Sequence, residues 1–241
     1  SSAYLSGYSS SAATFPVKVG PSSTASGNKD AFVAKLNAAG SQLAYAGFLG
    51  GSGDEEGAGI ALDTGGSAYL AGFTASSDGT FPSKVAPDTT FNGGPNDAFV
   101  AKVSAAGTAI IYAGYLGGAG DDKGTGVAVD ADRNAYVTGY TTSNESTFYL
   151  GNLGPDPSFN GGTDAFVAKL DVGGAIAYAG YLGGAGDDFG NGVAVDASGS
   201  AFITGYTNSS ESTFPVWIGP DVTFNTDFRG AAFVTSMAVG A

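Results

Sequence analysis

The sequence predicts an all-β protein assembled from copies of one four-stranded unit, and three observations lead there. The hexapeptide Asp-Ala-Phe-Val-Ala-Lys occurs at residues 30–35, 97–102 and 164–169, a period of 67 residues (97 − 30 and 164 − 97). One period further on, Ala231, Ala232, Phe233 and Val234 keep its apolar part. Self-similarity at fixed spacing marks a supersecondary unit that buries its apolar faces by stacking on its neighbours. The second observation is that no stretch has helical periodicity; the apolar residues fall in short β-type runs. The third is that both alternating faces of these runs are apolar, as in 135–141, where Tyr136, Thr138 and Tyr140 point one way and Ala135, Val137 and Gly139 the other. A strand buried on both faces lies in a sheet covered on both sides, and without helices the cover has to be another sheet. Four-stranded sheets packed face to face and repeated in sequence are the blades of a β-propeller.

Each period divides into four segments. The first covers 59–63, 126–130 and 192–196, and the second 3–9, 68–74, 135–141 and 201–207. Asp63-Thr64-Gly65-Gly66 and Asp196-Ala197-Ser198-Gly199 join them as a hairpin, because the Asp bonds its own backbone and the Gly is free to take positive φ. A long connection follows, marked by Phe15-Pro16, Phe81-Pro82, Phe148-Tyr149 and Phe214-Pro215, then by Gly20-Pro21, Ala86-Pro87, Gly154-Pro155 and Gly219-Pro220. Loops of about twenty residues are uncommon unless anchored, and the recurring Phe and Pro are read as the anchors. The third segment is the hexapeptide, and the fourth covers 43–51, 110–118 and 176–184.

The phrases GVAVDASGSAFITGYT, TFP and TDAFVAKL followed by YAGYLGG resemble the SBBP family of β-propeller repeats across almost the whole chain. Their order also resembles NHL-type blades, in which the Gly-Val-Ala-Val-Asp strand lies innermost. The resemblance implies a propeller and an exported or surface setting, and it implies no catalytic residue.

The segments number three, four, four and three of the successive kinds, fourteen strands or about three and a half units. One domain over residues 1–241 is expected, with an incomplete blade at 1–57, blades at 58–124 and 125–190, and an incomplete blade at 191–241. The first blade lacks its first strand and the last its fourth, so each end offers unpaired backbone groups of the kind that template pairing with another chain. Three explanations stand side by side: the sequence is a piece of a longer chain, the ring closes as four blades, or neighbouring molecules complete the ends head to tail. Ala231 and Ser236 replace the recurring Asp and Lys in the last unit, as in a terminal cap or a specialised joint.

Composition narrows the functional classes. With 22 acidic against 9 basic residues the formal charge is −13, which disfavours nucleic acid and anionic membranes. No apolar run approaches the ~18 residues of a membrane span, and Ser1 begins without a signal-type segment, as in a mature or excised product. The absence of His and Cys removes Ser-His-Asp and Cys-His catalysis and His-ligated metals. Arg133 and Arg229 are too few for a sialidase site, and Lys123 closes no phosphate cradle. The abundance of Ser, Thr, Gly and Tyr suggests an extracellular or cell-surface protein.

The strongest site candidates are the acidic pairs on the Gly-rich turns between units: Asp54-Glu55, Asp121-Asp122 and Asp187-Asp188. Clustered carboxylates and free carbonyls suit calcium, which takes six to eight oxygens; the competing reading is a solvated turn whose Asp residues bond local amides. Asp30, Asp97 and Asp164, each five residues before a Lys, either mark a ligand-facing ring or, as is the ordinary behaviour of such charges, bond backbone at the strand start, with the Lys protecting the strand end or pairing with a neighbouring blade's carboxylate. Tyr115, Tyr181 and Phe48 either stack on sugars or, as is usual for an aromatic recurring in every unit, pack between blades. The sequons Asn144-Glu145-Ser146 and Asn208-Ser209-Ser210 make Asn144 and Asn208 candidate glycosylation sites. The expectation that follows is a non-enzymatic structural or adhesive surface protein, self-associating head to tail or joining other surface proteins or glycans. A calcium- or glycan-binding module stands as the alternative and a carboxylate-pair glycosidase third.

Overall fold

The computed structural model describes residues 2–11, 13–85, 87–148, 154, 156–210, 212–215 and 230–237. Ala86, Tyr149, Pro155, Gly219, Pro220 and Arg229 lie outside the described residues. Among the described residues there are fourteen strands and no helix.

The strands form four antiparallel sheets, each a meander in chain order. The first sheet holds β1 (Tyr4–Ser9), β2 (Asp30–Leu36) and β3 (Leu43–Leu49). The second holds β4 (Glu55–Leu62), β5 (Ala68–Thr74), β6 (Asp97–Val103) and β7 (Ile110–Leu116). The third repeats it with β8 (Asp122–Val129), β9 (Ala135–Thr141), β10 (Asp164–Leu170) and β11 (Ile176–Leu182). The fourth stops at three, β12 (Asp188–Val195), β13 (Ala201–Thr207) and β14 (Ala231–Met237). The distribution of three, four, four and three strands is the one the repeat count predicts.

The sheets stack as blades. β4 packs on β1 and β2, β8 on β4 and β5, and β12 on β8 and β9, while no strand of the first sheet makes more than a marginal contact with the fourth. Among the described residues the blades therefore form an open row, and of the explanations weighed for the ends, closure as a four-bladed ring is the one this arrangement does not support. The leading strands approach backbone to backbone: a Cβ on Gly59 would lie 3.0 Å from the Val127 nitrogen, and one on Gly126 3.3 Å from the Gly192 Cα. A side chain at either position would crowd the neighbouring strand and oblige it to give way slightly, which glycine avoids.

The cores lie between blades. Val33, Tyr45 and Leu49 meet Leu70, Phe99 and Tyr115 at the first junction. Tyr69, Val100 and Tyr112 meet Val137, Phe166 and Leu170 at the second, and Tyr136, Val167 and Leu182 meet Ile203, Phe233 and Met237 at the third. Each long connection is pinned by its Phe, since Phe15, Phe81, Phe148 and Phe214 lie 5.0, 5.4, 5.4 and 5.1 Å from Phe32, Phe99, Phe166 and Phe233. The anchoring role read from the sequence holds at all four.

The leading strands start earlier than the sequence pattern indicates, at Glu55, Asp122 and Asp188 instead of Gly59, Gly126 and Gly192. A bulge explains the difference: pairing slips between Gly57 and Gly59, Gly124 and Gly126, and Gly190 and Gly192. An extra unpaired residue breaks the two-residue alternation, so the stretch ahead of it reads as loop. The blade boundaries move with it, ahead of 58, 125 and 191.

Candidate functional site

The bulged start of each leading strand carries the second acid of each pair, Glu55, Asp122 and Asp188, into the interior, where all three are fully buried. Hydroxyls and amides that recur in each blade receive them. Glu55 accepts hydrogen bonds from Thr74 Oγ1 (2.6 Å), Ser76 Oγ (2.5 Å) and the Gly51 amide (2.7 Å). Asp122 accepts from Thr141 Oγ1, from Ser143 Oγ at 2.8 Å and from the Gly118 amide at 2.7 Å. Asp188 accepts from Ser209 Oγ and the Gly184 amide, both at 2.7 Å. The same serines accept from the amides of Gly53, Gly120 and Gly186. Each cluster is thus a clamp that fastens the inter-blade turn to the loop after the second strand. Tyr115 and Tyr181 donate to the Ser76 and Ser143 carbonyls, both at 3.0 Å, from positions with no exposure. Tyr115 and Tyr181 belong to the inter-blade cores, whereas Phe48, also buried, packs on Phe15 of its own blade's long connection at 4.7 Å.

A second buried carboxyl stands beside each clamp. Asp30 Oδ1 and Glu55 Oε2 both crowd the space over Gly50, and Asp97 and Asp164 crowd Gly117 and Gly183. As expected of a strand-start Asp, these accept backbone amides: Ser26 and Gly27 on Asp30, Asn92 on Asp97 and Asn160 on Asp164. Asp97 Oδ1, Asp164 Oδ1 and Asp188 Oδ1 are buried without a hydrogen-bond partner. Burying two carboxylates side by side disfavours full ionisation of both. Burial, with the charge of Asp122 adding to it, pushes Asp97 up to about 8, and burial together with Asp188 pushes Asp164 up to about 7. Burial also raises Glu55 and Asp122, against the hydrogen bonds that favour their charged forms. These groups are enclosed, and their bonds to amides and hydroxyls brace the turns where one blade meets the next.

The first acid of each pair stays nearer solvent. Asp121 accepts from Asn96 Nδ2 at 2.7 Å and lies 3.8 Å from Lys123, Asp187 accepts from the Thr163 amide at 3.0 Å, and the Asp54 carbonyl takes the Ala75 amide at 2.9 Å. The two acids of a pair therefore occupy different environments. Among the described residues, no three Asp or Glu side chains converge as a metal centre would need.

Two of the three recurring lysines depart from the inter-blade pairing weighed for them, while Lys35 reaches the Ala105 carbonyl of the next blade at 3.5 Å. Lys102 lies 3.8 Å from Asp63 and Lys169 3.9 Å from Asp130, each carboxylate belonging to the lysine's own sheet. The lysines sit 4.7 and 4.9 Å over the rings of Tyr69 and Tyr136. Those tyrosines make the inter-blade bond: Tyr4, Tyr69 and Tyr136 donate to the turn carbonyls of Gly66, Arg133 and Gly199 in the next blade. The sequence signal for this latch was the Tyr that opens three of the four second strands. Asn144 and Asn208 are both exposed.

Stacked four-stranded sheets fastened by repeated buried struts define a repeat protein of the β-propeller class. Residues 111–145 and 178–211 match the SBBP beta-propeller repeat, so the chain carries that family's repeat twice by direct match. No curated protein matches the chain.

Proposed function

We propose that this is a non-enzymatic structural subunit of the cell exterior, joining further chains head to tail through β1 and β14. The carrying observation is that the end sheets stop at three strands, with the outer edges of β1 and β14 unpaired among the described residues. Free edges in monomeric proteins are usually blunted by charge, proline or bulges. Neither Tyr4–Ser9 nor Ala231–Met237 contains a charged residue or a proline. An uncharged edge fits a strand that pairs with another molecule. The absence of His and Cys and the commitment of the buried acids to clamps support a non-catalytic role. The acidic, Ser- and Thr-rich composition supports an external location, where Asn144 and Asn208 are exposed for glycosylation.

The test is sedimentation with negative-stain microscopy across a concentration series. Concentration-dependent linear assemblies are expected, and a lysine at Ser6 or Val234 should dissolve them by placing charge on the joining strand. A chain that sediments as a monomer at every concentration refutes the proposal.

A further inference from the structure

One row of aromatic residues has no part in the inter-blade cores. The penultimate residue of every second strand is aromatic: Tyr8, Phe73, Tyr140 and Tyr206. Opposite the last three in register stand Glu56, Lys123 and Phe189, each immediately after or within one residue of the inter-blade acids. The row is continuous from blade to blade. Lys29 lies 5.0 Å over Tyr8 and pairs with Glu56 at 3.1 Å, and Lys123 lies 4.6 Å over Phe73. Tyr140 meets Phe189 edge-on at 4.8 Å, and Phe189 stacks on Tyr206 at 4.6 Å.

These rings keep surface in water where the core tyrosines of the same strands and their neighbours do not. Tyr8 is 51% and Tyr206 37% exposed, while Tyr69, Tyr112 and Tyr136 are fully buried; Phe73, Tyr140 and Phe189 are half-buried. Packing explains the buried rows, because those rings fill the space between sheets. The contacts of this row with Lys29, Lys123 and one another account for part of each ring and leave the rest in water at the same position of every blade.

We propose that this row is a binding rim for an uncharged polysaccharide. The negative face of an aromatic ring attracts the weakly positive C–H face of a sugar, and an extended chain passing along the blades would meet one ring per repeat. Asp54, Asp121 and Asp187 lie on the adjoining turns, and an ionised carboxylate is a strong acceptor for sugar hydroxyls. The formal charge of −13 repels sulfated or uronic chains and leaves neutral ones. This rim is separate from the β1 and β14 edges and stands independently of the assembly they are proposed to make.

Affinity electrophoresis of the full chain through gels containing a neutral glucan, mannan or galactan tests it, with a sulfated polysaccharide as control. Retardation by a neutral polymer that persists in high salt is expected. Tyr8→Ser and Tyr206→Ser should each weaken it about tenfold, roughly the worth of one aromatic contact. Circular dichroism and melting, unchanged in both variants, keep loss of binding distinct from loss of fold. No retardation by any neutral polymer, equal retardation of the double variant, or retardation that vanishes in salt, which would assign the rim to a basic peptide or other charged partner, each overturns the proposal.

Discussion

β9 and β13 have nearly the same sequence, AYVTGYT and AFITGYT, and pair with their neighbours in the same register. Yet Tyr136 is fully buried while Phe202, its equivalent, is 40% exposed, and Thr138 is buried while Thr204 is exposed. What differs is the neighbour: β12 packs on β9, and among the described residues no strand packs on that face of β13. Burial here is set by the next blade and not by the composition of the strand. The chemistry changes with it. Tyr136 donates to the Gly199 carbonyl at 2.9 Å and to Asp130 Oδ2 at 3.1 Å, beneath Lys169. In the fourth blade the hydroxyl is missing at Phe202, Ser236 stands in the place of the Lys, and Ala231 replaces the buried Asp. The last blade keeps the shape that fits its inner neighbour and lacks the tyrosine hydroxyl, the lysine and the aspartate that serve the inner junctions.

The largest effect should come from removing the two equivalent rings. Tyr136→Ala empties a fully enclosed site and should cost about 3–5 kcal/mol by chemical denaturation, whereas Phe202→Ala, already in contact with water, should cost about 1 kcal/mol. Equal losses would break the comparison. Next is the pH dependence of the inner junctions. Asp97, pushed up to about 8, and Asp164, to about 7, hold protons in the folded state that an unfolded carboxyl, at the usual 3.8, releases much earlier. Their contribution is fully present below that usual value and is lost as pH rises through 7 and 8. The denaturation midpoint should therefore fall between about pH 5 and about pH 9, and Asp97→Asn with Asp164→Asn should flatten the fall. A slope unchanged in the double variant would place the titrating groups elsewhere.

Smaller still is the hydroxyl itself. Tyr136→Phe leaves the Gly199 carbonyl without its donor and should cost about 1 kcal/mol. The reverse change, Phe202→Tyr, adds a hydroxyl that meets no next-blade carbonyl among the described residues and should stay within about 0.5 kcal/mol. A matched pair of melting curves decides between a latch that works only where a next blade exists and a tyrosine that contributes through its ring alone.

The strand inventory was legible because the repeat presents each strand several times: 164–169 and 97–102 share one hexapeptide, so an ambiguous run in one blade is read from its copy. The Phe anchors were legible for the same reason. The clamp was only half legible. Glu55-Glu56-Gly57-Ala58 looks like a turn since a bulge interrupts the alternation that identifies strands, and both acids of the pair therefore read as loop residues. The destination of Tyr115 was open, because a strand apolar on both faces does not say which face meets a neighbour and which meets a loop. Whether the row closes depends on contacts between distant blades, which no local pattern encodes.

The smallest effect concerns the hairpin turns, where the third and fourth blades differ again. Gly66 and Gly199 take φ of 83° and 84°, and the same position in the third blade is Arg133 at φ 68°. A side chain in that left-handed region is strained by about 1 kcal/mol, while glycine adds unfolded-state freedom worth somewhat less. Arg133→Gly should therefore stabilise the protein slightly, by about 0.5 kcal/mol, and Gly199→Arg should destabilise it by about as much. The two turns accept the same inter-blade bond, from Tyr69 at the Arg133 carbonyl and from Tyr136 at the Gly199 carbonyl, at 3.1 and 2.9 Å. If backbone strain is the whole difference between them, the two shifts will be opposite in sign and similar in size. A loss on Arg133→Gly would mean that the arginine side chain contributes to the junction beyond its turn, and denaturation of the two single variants and the double variant separates the cases.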